Sequence, residues 1–94
     1  MNPLQPSDAT EWWDNFRKLL DSDNKWPSKY LFKFIVPKAG LAELEEVFEG
    51  QEIDVKASTR GNYLSVTTKI TVHGSDDVIK IYRAAGAVNG VISL

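Results

Sequence analysis

The run "KYLFKFIV", residues 29–36, constrains the fold more than any other stretch of the chain. Tyr30, Phe32, Phe34 and Val36 alternate with Leu31, Lys33 and Ile35, which is the period of a β-strand, and aromatic and branched residues suit a pleated, packed surface. Because the second set is also largely apolar, the strand is expected in the middle of a sheet. A sheet with so apolar a face must be covered, and the flanking segments have to supply the cover.

Two of those segments read as short amphipathic helices. In "LAELEEVFEG", Leu41, Leu44, Val47 and Phe48 recur at helical spacing, Glu43, Glu45, Glu46 and Glu49 turn outward, and Gly50 ends the pattern. Ser75 ahead of Asp76 and Asp77 has the form of a helix start, and Val78, Ile81, Tyr82 and Ala85 then share one side of a helix that finishes near Gly86. "GVISL" closes the chain as a last strand. Before the first strand, Asp8 with Glu11 three residues on forms a capping box. The helix it opens carries Trp12, Trp13, Phe16, Leu19 and Leu20 as a wide apolar stripe, and "DSDNKWPS", residues 21–28, reads as a linker.

Between the two short helices lie "EIDVKA" and "LSVTTKITV", joined by "STRGNY". Gly61 and Asn62 as the central residues of a type II′ turn, with a positive φ at Gly61, set Arg60 opposite Tyr63. That register puts Ile53, Val55 and Ala57 opposite Ile70, Thr68 and Val66 on one face. On the other face, Asp54 meets Lys69, Lys56 meets Thr67 and Ser58 meets Ser65. One face is apolar and the other polar, as a half-buried antiparallel pair requires.

In order, the elements are a helical prefix and then strand, helix, strand, strand, helix, strand. This is an α+β chain, and the split βαβ pattern predicts a ferredoxin-like βαββαβ sandwich: a four-stranded antiparallel sheet with two helices on one face and an extra N-terminal helix. With 94 residues there is room for one domain with a modest core. Residues 1–25 form the amphipathic extension and residues 26–94 the sandwich. The first and third strands take the centre, which leaves Leu31, Lys33 and Ile35 on an uncovered face. The prefix helix or a second subunit is expected to cover it. On this reading Trp12, Trp13, Phe16, Leu19, Leu20, Leu31 and Ile35 are candidates for an oligomer interface, and a homodimer is the expected assembly.

"WPSKYLFKFIVP", "STRGNYLSVTTKITV" and "DDVIKIYRAAGAVNGVISL" together resemble the YbeD-like family of small bacterial proteins. The resemblance covers residues 26–94. It is most specific at Ser58, Gly61, Asn62, Tyr63, Ser65 and Val66, with Tyr30, Phe32 and Lys33 matching the opening; the residue before the glycine is usually lysine in that family and is Arg60 here. The resemblance implies a ferredoxin-like fold similar to the ACT domains that sense small metabolites, often as dimers. It implies no established activity, and a link of relatives to lipoate metabolism rests on gene neighbourhood.

The chemistry on offer is narrow. There is no cysteine and a single histidine, His73, so no metal site, cofactor or catalytic constellation is expected. A formal charge of −2 disfavours nucleic acid as the main partner, no apolar run is long enough for a membrane span, and "MNPLQPSD" lacks the pattern of a secretory signal, so a cytoplasmic location is expected. What remains is a non-catalytic regulatory or interaction module that binds a small molecule or a protein through the sheet face and the hairpin. Its candidate residues are Ser58, Arg60, Gly61, Asn62, Tyr63, Ser65, Lys69 and Lys33. Two alternatives share the fold. An RNA-binding module would need stacking aromatics where Asn62 and Leu64 stand, and an acylphosphatase-like enzyme would need an arginine where "VPKAGL" offers Lys38.

Overall fold

The computed structural model describes residues 6–57 and 61–94, with side chains from Thr10 onward. The elements run α1 (Pro6–Asp23), β1 (Ser28–Pro37), a 3-10 turn (Lys38–Gly40), α2 (Leu41–Val47), β2 (Asp54–Ala57), β3 (Tyr63–Val72), α3 (Ser75–Gly86) and β4 (Ile92–Ser93). The strands form one four-stranded sheet in the order β2-β3-β1-β4, with every neighbouring pair antiparallel. The two long strands hold the centre. They pair over their whole length, from Ser28 opposite Val72 to Pro37 opposite Tyr63.

Strand alternation decides what faces the helices. Phe32, Phe34 and Val36 of β1 and Val66, Ile70 and Val72 of β3 are buried on one side of the sheet. Leu44, Phe48, Val78 and Ala85 meet them from the helical layer. Tyr82, half-buried, packs against this core, its ring 5.3 Å from Phe32, 5.8 Å from Phe34, 6.3 Å from Tyr30 and 5.7 Å from Phe16. These are the offset and edge-on separations that aromatic rings prefer. Ile79 and Val88 are also buried, and the helical pattern had not singled them out.

α1 does not lie over the uncovered sheet face. It packs on α3, which also contacts α2, so the three helices make one layer. Trp13 and Leu20 are buried at 8% and 4% exposure, the Arg83 guanidinium sits 5.2 Å over the Trp13 ring, and Arg17 pairs with Asp76. Two of the residues proposed for an oligomer interface, Trp13 and Leu20, are therefore inside the chain's own core. The physical reason is the quality of the two surfaces. Beside α3 the stripe finds Tyr82 and a cation for its indole, whereas the strip of Leu31 and Ile35 is interrupted by Lys33.

Several local expectations change as well. Residues 21–23, read as linker, continue α1. The helix ends at Asp23, and the backbone N–H and side-chain amide of the next residue, Asn24, both donate to the Leu20 carbonyl at 3.0 Å. Its first turn begins at Pro6, and the side chain of Asp8, expected as the cap, lies outside the described residues. Ser75 does not cap α3. It is buried inside the first turn, and Asp77 Oδ2 instead accepts from the His73 N–H at 2.9 Å, tying the strand end to the helix start.

The β2–β3 register is shifted by two residues from the one expected: Val55 faces Val66 and Ala57 faces Leu64. A turn centred on Gly61 and Asn62 is incompatible with that pairing. Gly61 nevertheless has the expected positive φ, +69°. A shift of two leaves every side chain on its original face, so the separation of polar from apolar residues could not expose the error. At the entry into β2 the Thr68 hydroxyl donates to the Glu52 carbonyl at 2.7 Å, a contact that holds the chain next to β3.

Candidate functional site

The side of the sheet away from the helices is assembled from alternate residues of all four strands. Pairing places Leu31 beside Lys69, Lys33 beside Thr67, and Ile35 between Ser65 and Ile92. Asp54 and Lys56 of β2 continue this face next to Thr67 and Ser65. Both central lysines are exposed and lie on the open face, as strand parity requires. Leu31 is 54% exposed, Ile92 53%, and Ile35 is half-buried.

The charges on this face are mostly uncompensated. Lys56 lies 3.8 Å from Asp54, an exposed pair whose attraction is screened by solvent. Neither Lys33 nor Lys69 has an ion-pair partner among the described residues. Where β3 runs on past β2, a shallow depression of about 460 Å³ opens, lined by Leu31, Glu52, Ile53, Asp54, Thr67, Thr68 and Lys69. It holds an ammonium and two carboxylates over an aliphatic floor.

The hairpin candidates are only partly visible. Ser58 and Arg60 lie outside the described residues. Gly61, Asn62 and Tyr63 are exposed, and the Asn62 carbonyl accepts from the Lys38 N–H at 3.0 Å. That bond ties the hairpin to the end of β1 and occupies one of the N–H groups that an anion-binding loop after the first strand would use. Tyr63 shares the open face but sits at its margin, opposite Pro37. Leu64 packs against the core, and the central open-face positions of β1 and β3 hold Leu31, Lys33, Ile35, Ser65, Thr67 and Lys69, none of them aromatic. Ser65 is half-buried between Ile35 and Lys56.

Of the remaining interface candidates, Phe16 is half-buried against Tyr82, while Trp12 and Leu19 stay exposed on α1, Trp12 edge-on to Trp13 at 4.7 Å. His73 is exposed just past the end of β3. Sequence reasoning missed the acidic residue Glu52 at the rim of the depression. It belongs to no element, and its position follows from the Thr68 bond to its carbonyl.

The family model "Protein of unknown function (DUF493)" matches residues 21–94. The chain belongs to this DUF493 family. The match takes in the whole sheet, α2, α3 and the last turn of α1, in agreement with the YbeD-like resemblance of residues 26–94. The helix residues Trp13, Phe16 and Leu20 fall outside the matched DUF493 region, and their contacts Tyr82 and Arg83 fall inside it. No curated protein and no solved structure matches the chain. No helix of the described residues is long and apolar enough to cross a membrane.

Proposed function

We propose that the chain is a non-catalytic, ferredoxin-like interaction module whose working surface is the open face of its sheet. One observation carries this reading: in the middle of that face, Leu31 is more than half exposed between Lys33 and Lys69, neither of which has a carboxylate partner among the described residues. Exposed aliphatic side chains beside cations that no carboxylate neutralises leave this face open to a partner that brings apolar and acidic groups together. The strand order, with β1 and β3 central and the helices in one layer, supports the ferredoxin-like reading, and the ACT-like regulatory role is an analogy of fold alone.

A second reading has its own observation. The depression beside Leu31 sets Lys69 against Asp54 and Glu52, a pairing of charges that suits a small zwitterionic ligand, and its volume is within the range of small-molecule sites. Its shallowness favours the larger partner.

The test is a comparison of the full chain with the Lys33→Glu/Lys69→Glu variant. Both lysines are exposed, so the variant is expected to keep its circular dichroism and its melting temperature within a few degrees. Peptides and metabolites screened by thermal shift are expected to stabilise the original chain and not the variant. Binding that is unaffected by the two substitutions would move the working surface elsewhere.

A further inference from the structure

Resting on the open face as the working surface, its charges define the partner. Lys29, Lys33, Lys56 and Lys69 all lie on this face, in a chain whose formal charge is −2. Among its strand positions the only carboxylate is Asp54, already beside Lys56, and Glu52 stands at the rim next to Lys69. Carboxylates gather in the helical layer instead, at Glu43, Glu45, Glu46, Asp76 and Asp77. The molecule is thus basic on its sheet side and acidic on its helical side.

Two occupants fit this surface poorly. A second copy docking face to face would bring together two surfaces of the same net positive sign, which opposes association. Single-stranded nucleic acid needs aromatic rings on which to stack its bases, and the central positions carry aliphatic, hydroxyl and ammonium groups. An acidic polypeptide meets both features at once. Lys33 and Lys69 are diagonal neighbours across β1 and β3, a spacing of roughly 7–8 Å or somewhat less between their Cβ atoms. Carboxylates one helical turn apart, or two residues apart on a strand, have roughly a 5–7 Å spacing, within reach of two flexible lysines.

We propose that the open face docks an acidic amphipathic polypeptide segment, with its carboxylates on Lys33 and Lys69 and its apolar side chains on Leu31, Ile35 and Ile92. The binding is part electrostatic and part hydrophobic. Salt therefore weakens it without abolishing it.

A library of random dodecapeptides displayed on phage, selected on the full chain and counter-selected on Lys33→Glu/Lys69→Glu, reads the preferred chemistry directly. The expected clones combine Asp or Glu with Leu, Ile or Phe. A synthetic peptide of the consensus is expected to bind the original chain at least about tenfold more tightly than the variant, with affinity falling as salt rises. Leu31→Ser/Ile92→Ser is expected to weaken it about fivefold or more and to leave the salt dependence in place. Lys33→Gln/Lys69→Gln serves as a milder pair if charge reversal perturbs folding.

A neutral or basic consensus that still requires the open face would overturn the acidic partner and leave the interaction module standing. If no clone depends on the face, both readings fall. A uridine oligonucleotide bound as tightly as the peptide, with the same loss in the variant, would show the partner to be nucleic acid and sink the proposal. A dimer in solution that dissociates in the variant would assign the face to a second copy, with the same consequence.

Discussion

Gly61 and Gly90 both hold a positive φ, +69° and +78°, yet a methyl group added to each meets different surroundings. At Gly61 nothing among the described residues lies within 4 Å, so Gly61→Ala is expected to incur backbone strain alone, about 1 kcal/mol. At Gly90 the new Cβ would stand 2.8 Å from Pro37 Cγ, and a proline ring at the end of β1 cannot swing away. Gly90→Ala is therefore expected to cost more, about 2 kcal/mol or above, and Asn62→Ala less than either. Urea unfolding of the three variants gives the order, and equal losses at Gly61 and Gly90 would refute the steric part. Tyr82 makes a different residue-scale prediction. Burial pushes its hydroxyl well above the usual phenol range, and the Tyr30 hydroxyl 3.4 Å away adds to the shift. A folded-state value raised above the unfolded one means the stabilisation is complete below about pH 10 and is lost as pH climbs beyond it. Stability measured between about pH 9 and 11 is expected to fall less steeply in Tyr82→Phe than in the original chain, with a loss at neutral pH of at most about 1 kcal/mol.

At the scale of an element, α1 tests the packing most directly, because its adjacent tryptophans have opposite environments. Trp13 is buried under the Arg83 guanidinium, whereas Trp12 is 41% exposed. Trp13→Ala is expected to destabilise by about 3 kcal/mol or more, in the range of core aromatic truncations, and Trp12→Ala by less than about 1 kcal/mol. Denaturant titrations of both variants read the difference directly. Similar small effects would mean that α1 is not held on α3. The Arg17–Asp76 pair is too exposed to hold the helix by itself, so Arg17→Ala changes stability by at most about 1 kcal/mol. The same element shows what its sequence could and could not tell. The stripe of Trp13, Phe16 and Leu20 was plain at helical spacing, and that it needed cover followed from its size. Where it found cover did not follow, since Tyr82 and Arg83 come together beside it only once α3 has packed on the sheet.

For the molecule as a whole, the separation of charge is the property that matters to a partner. Carboxylates on α2 and at the start of α3 oppose lysines on the open face, so a net charge near zero conceals two surfaces of opposite sign. Lys33→Glu/Lys69→Glu is expected to leave the fold intact because both side chains are in solvent, and to remove binding on the open face. A marked drop in melting temperature would mean that these lysines support the sheet rather than a partner.

Composition and alternation by themselves determined the α+β class, the parity of β1 and β3, and therefore which residues make up the open face: Phe32 and Phe34 could only point one way, and Lys33 the other. Period-two alternation carries that information locally, residue by residue. It is blind to shifts of two, which is why the β2–β3 register was decided only by the pairing in the folded sheet, with which the Thr68 bond to the Glu52 carbonyl agrees. It is equally blind to distant partners. The seat of α1, the burial of Ile79 and Val88, and the gathering of Glu52 and Asp54 around Lys69 depend on segments far apart in the chain, and only packing in three dimensions brought those segments together.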